Sequence, residues 1–342
     1  MIDVNDMIFA NINNINSFNL FVFILFALLL SLAIDLIFGE LPTKIHPVVI
    51  IGSLINFFKK IFIKFKNRMS GLMVSICVIA VSSVILYIIY FITSFNIVLL
   101  FIVFGVILSS TFSVNMLLST AVDVKEALDE SIDKARQLVS YLVSRNTDEL
   151  TESFIVSAAI ESMTENITDS YVALVFYYFI FGIIILFIDF DNQLFYLLLI
   201  PLIYRISNTL DAMLGYKTDE LKYIGYFPAK MDDVLNFIPS RIAGIYIVIS
   251  AYLLKMDGKN AYKIMMRDAR TCPSPNSGYT MATVAGALNI QLEKEGVYTL
   301  GDNIHPLKVE CIDKAIDITK LTIFLITVFF FFVFMDLILL QL

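Results

Sequence analysis

Tryptophan is missing from the whole 342-residue chain, histidine occurs twice, and charged residues make up only 16%. A soluble domain carries about 25% charged residues, so the deficit removes an ordinary water-facing surface. Without Trp, interfacial anchoring at a membrane boundary must come largely from the 16 tyrosines. The three cysteines, Cys77, Cys272 and Cys311, show no metal-ligand spacing and are too few for an even-numbered disulfide set. They read as free, reduced thiols. A formal charge of −7 leaves no basic face for nucleic acid. No basic stretch precedes the first apolar run, so the N-terminus does not read as a cleavable signal peptide. There is no GxxxxGK(S/T) loop, no GxGxxG after a strand, no HExxH and no GxSxG. Any use of a nucleotide therefore bypasses the familiar phosphate loops.

What is present is apolar surface. Hydrophobic residues reach 58% and mean hydropathy is +0.83, against about 45–50% apolar residues in a soluble domain. The expected fold is all-α, a polytopic membrane helix bundle forming one membrane domain over residues 1–342, with amphipathic cytoplasmic helices and half-spanning helices. A crossing helix needs about 20 mostly apolar residues. Runs at 18–38, 71–92, 95–118, 171–189 and 320–341 meet that length. Residues 194–206, with Pro201, and 234–254, with Pro239 and Arg241, are spans, half-spans or packed helices.

Six lysines and arginines crowd the segment 39–70 against one acid, Glu40, which places it in the cytoplasm. The N-terminal tail, with Asp3 and Asp6, is then outside. Polar islands at 120–170, 207–241 and 262–301 interrupt the apolar pattern. If all three build one site they share a compartment, so one of the two short runs should not cross.

Within the first island, residues 122–143 carry apolar side chains at spacings of three and four, the pattern of an amphipathic helix. Glu161, Glu165 and Asp169 follow at intervals of four, which on a helix puts three carboxylates on one face. Their mutual repulsion costs a few tenths of a kcal/mol per adjacent pair, and a bound Mg²⁺ would relieve it. A solvated acidic face is the plainer alternative.

The second island holds Asn208, Asp211 and Lys217, then the paired Asp232 and Asp233, Asn236 and Arg241. Carboxylates abutting an apolar run are costly and mark function as often as a cap. Arg241 needs an anionic partner, unless it snorkels to the interface. In the third island, Arg267 and Arg270 precede Ser274-Pro275-Asn276, where cations meet a rigid turn bearing side-chain donors. His46 beside Pro47 could serve as a base, a ligand or a structural group.

Taken in order, these islands resemble the adenosylcobinamide-phosphate synthase family, membrane proteins of cobalamin biosynthesis, over about residues 30–301. The resemblance runs from Asp35, Gly39, Pro42, His46-Pro47 and Gly52 through Asp133, Ala135-Arg136 and Ser144-Arg145-Asn146-Thr147. It continues with Glu161, Glu165-Asn166 and Asp169, then Asn208-Thr209-Leu210-Asp211 and Gly215-Tyr216-Lys217. Asp232-Asp233, Asn236, Pro239, Arg241, Ser274-Pro275-Asn276, Ala285-Gly286-Ala287-Leu288, Tyr298 and Gly301 complete it. The chain departs from the family pattern at Gly39-Glu40-Leu41-Pro42, where Gly-Asp-Pro is common. It departs again at Cys272, where a His is common, and at Glu295-Gly296-Val297, where Gly-Gly is common. The second departure weakens any catalytic role for position 272.

The resemblance implies a ligase that joins the carboxylate of adenosylcobyric acid to (R)-1-amino-2-propanol or its O-phosphate, using ATP and Mg²⁺. The corrinoid would be a substrate, not a prosthetic group. It implies Glu161, Glu165, Asp232, Asp233 and Asn276 as catalytic residues, with Glu161, Glu165 and Asp169 toward Mg²⁺. Substrate contacts would come from His46, Asn166, Asn208, Asp211, Lys217, Asn236, Arg241, Arg267, Arg270 and Ser274. The setting would be the cytoplasmic membrane of a prokaryote, with a cytoplasmic site in the lipid bilayer and other corrinoid-assembly enzymes as partners. A non-enzymatic membrane sensor and a corrinoid transporter are the competing readings, although no inverted repeat supports the latter.

Overall fold

A computed structural model describes residues 17–143, 146–188 and 190–339. Ser144, Arg145, Asp3 and Asp6 lie outside the described residues.

Short polar caps set the helix boundaries along an otherwise apolar chain. α1 spans Ser17–Phe38. α2, Pro47–Phe62, begins with His46, whose Nδ1 accepts the Val48 N–H at 3.2 Å. α3, Arg68–Thr93, is capped by Asn67, and α4, Ile97–Ser109, by Asn96, which accepts from Val98 and Leu99. Each cap satisfies amide donors that the first turn leaves without intrahelical partners.

The run at 95–118 breaks after α4, and α5 restarts at Val114–Glu130. The amphipathic pattern over 122–143 is likewise divided, because Ser131 caps a separate α6, Ile132–Ser140. α7 covers Glu152–Ile167. It passes through a π turn, Thr168–Val172, in which the Ala173 N–H bonds the Thr168 carbonyl, and continues as α8, Ala173–Phe187. α9, Gln193–Leu214, is longer than the apolar run 194–206 and keeps Pro201 inside it. α10, Tyr226–Leu235, bends by 45° into α11, Phe237–Leu253. α12 is Gly258–Asp268 and α13 is Gly278–Leu288. β1, Gln291–Lys294, and β2, Tyr298–Gly301, form an antiparallel hairpin in which Lys294 faces Tyr298 across a three-residue loop. α14 runs over Glu310–Leu339.

Among the described residues, six helical stretches are long and apolar enough to cross a membrane: 19–38, 68–93, 97–130, 152–187, 193–214 and 310–337. The bent α10–α11 pair would make a seventh. α3 shows the lipid pattern plainly. Val74, Val78 and Leu86 are buried, while Ile76, Val84 and Ile88, equally apolar, are exposed. The architecture of the described residues is an all-α polytopic helix bundle carrying one small hairpin.

The chain packs into two compact units. The first comprises residues 1–113, 174–234 and 330–342, and the second residues 114–173 and 235–329. In the first, α9 packs on α2, α3 and α4, and α4 on α1. The Tyr178 hydroxyl donates to the Ile24 carbonyl at 2.8 Å, so a buried phenol keeps its partner.

In the second, ten of the eleven residues of α13 are buried, which makes this small-residue helix the hub. It packs against α7, α11, α12 and both strands. Approach is limited by glycine. A Cβ at Gly286 would meet the Asn260 carbonyl oxygen at 2.7 Å and Ile264 Cβ at 2.8 Å, and one at Gly244 on α11 would meet Met265 Sδ at 2.9 Å. Hydroxyl–hydroxyl hydrogen bonds between Tyr171 and Thr327 and between Ser250 and Thr322 hold the N-terminal part of α14 within this unit.

Candidate active site

The second unit brings the first and third polar islands together. Its centre is Glu161, a carboxylate only 4% exposed. Burying that charge is costly unless its oxygens are hydrogen-bonded. Both are. Ser157, one turn earlier on α7, donates to Oε1 at 2.5 Å, and the Tyr298 hydroxyl on β2 donates to Oε2 at 2.7 Å. The Ser157 oxygen accepts the Glu293 N–H of β1 at 3.1 Å. Two side chains of α7 thus fasten it to both strands. Burial, then the Glu161 charge, raises the Tyr298 phenol well above its ordinary value, so it stays a protonated donor.

Glu165 lies one turn further along α7 and is exposed. Asp169, Lys294 and Glu161 are the charges acting on it. Asp169 is half-buried in the π turn, so the regular four-residue repeat ends with it. Such turns are frequent at functional sites. Asn166 is exposed and donates to the Ser162 carbonyl at 2.8 Å. Cys272 is buried, and burial, reinforced by the Glu165 charge, pushes its thiol up to about 12.

A second cluster forms where α11 meets the turn before α13. Arg241 Nη1 donates to Asn276 Oδ1 at 2.7 Å, and Nη2 donates to the Pro275 carbonyl at 3.1 Å. The guanidinium lies over the Phe237 ring at 3.7 Å and the Tyr279 ring at 4.1 Å. Stacking and a fixed fork of donors are what Arg offers and Lys does not. Ser274 Oγ accepts the Asn276 N–H at 3.2 Å and shapes the turn. Arg270 is exposed and hydrogen-bonds the Tyr279 hydroxyl, which holds that phenol below its ordinary value. Asn236 is buried at the start of α11, where its carbonyl accepts the Ser240 N–H at 3.1 Å.

Arg267 is engaged elsewhere. It pairs with Asp268 through Nε at 2.6 Å and Nη2 at 2.8 Å, and with Asp302 at 2.9 Å. Asp268 in turn accepts the Gly301 N–H at 2.8 Å. These bonds tie α12 to β2.

The remaining expected residues belong to the first unit. His46 caps α2. Asn208 accepts from Arg205 at 3.2 Å. Asp211 is on α9, where its carbonyl takes the Gly215 N–H at 2.7 Å, and Lys217 is exposed just beyond. Asp233 pairs with Lys230 at 2.9 Å, and the half-buried Asp232 acts electrostatically on Tyr177.

Ser157, Tyr298, Lys294 and Tyr279 were not among the residues expected at the site. Ser157 had a signal in its spacing of four from Glu161. Tyr298 stood in the family resemblance but had no signal tying it to Glu161, because that partner is 137 residues away. Arg205, in the first unit, had the plain signal of a cation ending an apolar run.

Among the described residues no group of three His, Cys, Asp or Glu side chains closes into a metal site. The donor chemistry suits two carboxylates, Glu165 and Asp169, completed by substrate oxygens, because the oxygens of Glu161 are held by Ser157 and Tyr298.

The family model described as CobD/Cbib protein matches residues 28–320. A "Probable cobalamin biosynthesis protein CobD" from Methanothermobacter thermautotrophicus is 43% identical over 300 residues, covering 88% of this chain and 94% of the relative. One of the same name from Methanocaldococcus jannaschii is 37% identical, covering 88% and 94%. A "Cobalamin biosynthesis protein CobD" from Dehalococcoides mccartyi is 35% identical, covering 86% and 92%. No solved structure matches the chain. With the model spanning both polar clusters of the second unit and most of the helices around them, the chain belongs to the CobD/Cbib family of cobalamin biosynthesis proteins.

Proposed function

We propose that the protein is an ATP-dependent ligase of cobalamin biosynthesis that joins the carboxylate of adenosylcobyric acid to (R)-1-amino-2-propanol or its O-phosphate. The observation that carries this reading is the pairing of an acidic face, Glu161, Glu165 and Asp169, with a cationic cluster, Arg241 and Arg270. Both sit in one unit on segments that meet around α13. Amide formation needs both. A corrinoid carboxylate oxygen attacks the γ-phosphorus of ATP, ADP leaves, and an acyl phosphate forms. The amine nitrogen then attacks the acyl carbon, the bond to the phosphate oxygen breaks, and inorganic phosphate departs. The amine proton passes to a carboxylate.

Positioning and charge neutralisation dominate phosphoryl transfer. Arg241 and Arg270 supply fixed positive charge for phosphate and carboxylate groups, and Asn276 orients the nascent amide. Glu165 and Asp169 would hold Mg²⁺, whose contribution is to neutralise phosphate oxygens. Asp232 and Asp233 are proposed as further catalytic carboxylates.

Counting crossings supports a cytoplasmic site. If the six long stretches cross and the bent α10–α11 pair is re-entrant, segments 131–151 and 215–309 return to the side of the Lys-rich segment 39–67.

The test is to incubate purified membranes with adenosylcobyric acid, ATP, Mg²⁺ and each amine donor, then weigh the products. A mass increase matching the amide is expected, dependent on ATP. No amide with either donor overturns the reading. Altered corrinoid uptake by cells in its place indicates a transporter.

A further inference from the structure

α2 has three faces, and only one of them is used inside the first unit. At 16 residues the helix falls below the roughly 20 mostly apolar residues that a crossing needs. It lies between a crossing stretch that ends at 38 and another that begins at 68, so both of its ends are held at the same membrane surface. Ile51 and Ile55 form the buried stripe, toward α3 and α9. Ile50, Phe57 and Ile61, seven and four residues apart, form a second stripe that is exposed. Ser53, Asn56 and Lys60, at spacings of three and four, form a third, also exposed. A helix with an apolar side, a lysine-bearing polar side and too little length to cross lies in the bilayer interface, its apolar side sunk into the acyl chains.

The charge carried by this helix and the turn after it has one sign. No acidic residue occurs between Glu40 and Asp123. Lys59, Lys60, Lys64, Lys66 and Arg68 crowd the C-terminal end of α2 and the turn that leads into α3. Lys59 pairs with Glu220 at 3.1 Å, and the Arg68 guanidinium lies over the Tyr226 ring at 4.0 Å. Lys60, Lys64 and Lys66 are exposed and form no ion pair among the described residues. Tyr216, Tyr223 and Tyr226, on the segment that Glu220 ties to α2, are exposed too. In a chain without Trp, tyrosines are the aromatic groups for the headgroup level.

We propose that α2 and the basic turn after it form a docking surface for anionic phospholipid of the adjoining leaflet. The stripe of Ile50, Phe57 and Ile61 enters the acyl chains, while Lys60, Lys64 and Lys66 gather headgroups of net negative charge. Each basic side chain near an anionic membrane surface strengthens binding about fivefold. A zwitterionic lipid fits the stripe but gives the lysines no net charge to meet. An acidic protein would meet the lysines, but the tethering of α2 between two crossing helices already puts its stripe at the bilayer, so lipid is the occupant. The proposal is independent of the amide-forming reading.

The lack of native tryptophan makes the test direct. Phe57→Trp and Ser53→Trp each place a single fluorescent reporter on one exposed stripe of the full chain. Each variant is reconstituted in phosphatidylcholine nanodiscs containing a minority of acyl-brominated phosphatidylglycerol or, in a matched sample, acyl-brominated phosphatidylcholine. Brominated chains should quench Phe57→Trp strongly and Ser53→Trp weakly, and aqueous iodide should show the reverse order. Brominated phosphatidylglycerol should quench Phe57→Trp about twofold or more beyond brominated phosphatidylcholine. Adding Lys60→Gln, Lys64→Gln and Lys66→Gln, all at exposed positions, should make the two lipids equal. Raised salt should narrow the difference while the lysines are present. Equal quenching by the two lipids with all lysines in place overturns the proposal, as does a difference that survives the triple replacement. Iodide reaching Phe57→Trp as freely as Ser53→Trp puts the stripe in water, open to a protein partner, and also overturns it.

Discussion

The Tyr298 hydroxyl donates to Glu161 Oε2 at 2.7 Å, joining a hairpin strand to a helix 137 residues earlier in the chain. The contact holds a buried charge in one geometry. Tyr298→Phe removes one donor and leaves the ring. Hydrogen bonds to charged groups contribute about 1.5–3 kcal/mol, so amide formation should fall about tenfold or more. Ser157→Ala should do the same through the other oxygen. Product yield per folded molecule, with helical content followed by circular dichroism, checks both.

Glu165→Gln and Asp232→Asn should each abolish product formation in membranes while protein levels stay at those of the unaltered chain. Immunoblotting beside the mass-spectrometric assay reads both quantities. Full activity in either variant removes that residue from the catalytic set.

The pairs around Arg267 predict a different outcome. Asp268 has its side chain 10% exposed and serves two donors, whereas Asp302 is 40% exposed. Asp268→Ala should cost about 2–3 kcal/mol of stability, and Asp302→Ala no more than ~1 kcal/mol, because exposed ion pairs contribute little. Thermal unfolding in detergent should therefore separate the two by several degrees.

Arg241→Lys keeps the charge but loses the two-ring stack and the forked contact to Asn276 and Pro275. Activity should fall about tenfold, equivalent to ~1.4 kcal/mol. Residues 272–278 should become more open to limited proteolysis. An unchanged cleavage pattern with unchanged kinetics would show that Lys suffices.

With its thiol pushed up to about 12, Cys272 is almost wholly protonated at pH 8, with a thiolate fraction of roughly 10⁻⁴. It gains reactivity only as the pH climbs toward that value. Maleimide labelling of the folded protein at pH 8 followed by peptide mapping should leave Cys272 unmodified, and denaturation should expose it.

Much of the helical scaffold was legible in the sequence. The run 18–38 appears as α1 and 71–92 as the core of α3, because uninterrupted apolar length is its own signal. The run at 95–118 contains a break at Ser110, Thr111 and Ser113, but hydroxyl residues also occur inside continuous spans, so this short polar stretch did not by itself mark a helix end. α9 looked short because Arg205, Asn208 and Asp211 dilute its C-terminal half, although all lie on one continuous helix. The hairpin escaped notice because each strand has four residues, too few for an alternation to register. In the site, the spacing of Glu161, Glu165 and Asp169 was readable as a face. The π turn that ends it, and the distant Tyr298 that anchors it, depend on tertiary packing.

The close seating of α13 has an evolutionary corollary. Ordinarily alanine is the safest replacement on a helix, since it improves propensity over glycine by about 1 kcal/mol. At Gly286 a single methyl group has nowhere to go, because the Asn260 carbonyl oxygen, Ile264 Cβ and Ala261 Cα lie within 3 Å of it, and at Gly244 it must displace Met265 Sδ while pressing on the Tyr279 carbonyl. The mildest mutation is therefore among the least tolerated there, while bulky changes at exposed Tyr262 or Met266 on the neighbouring helix meet only open surface. Divergence within such a chain is channelled to its periphery, and a new specificity would have to be built around this helix without altering it.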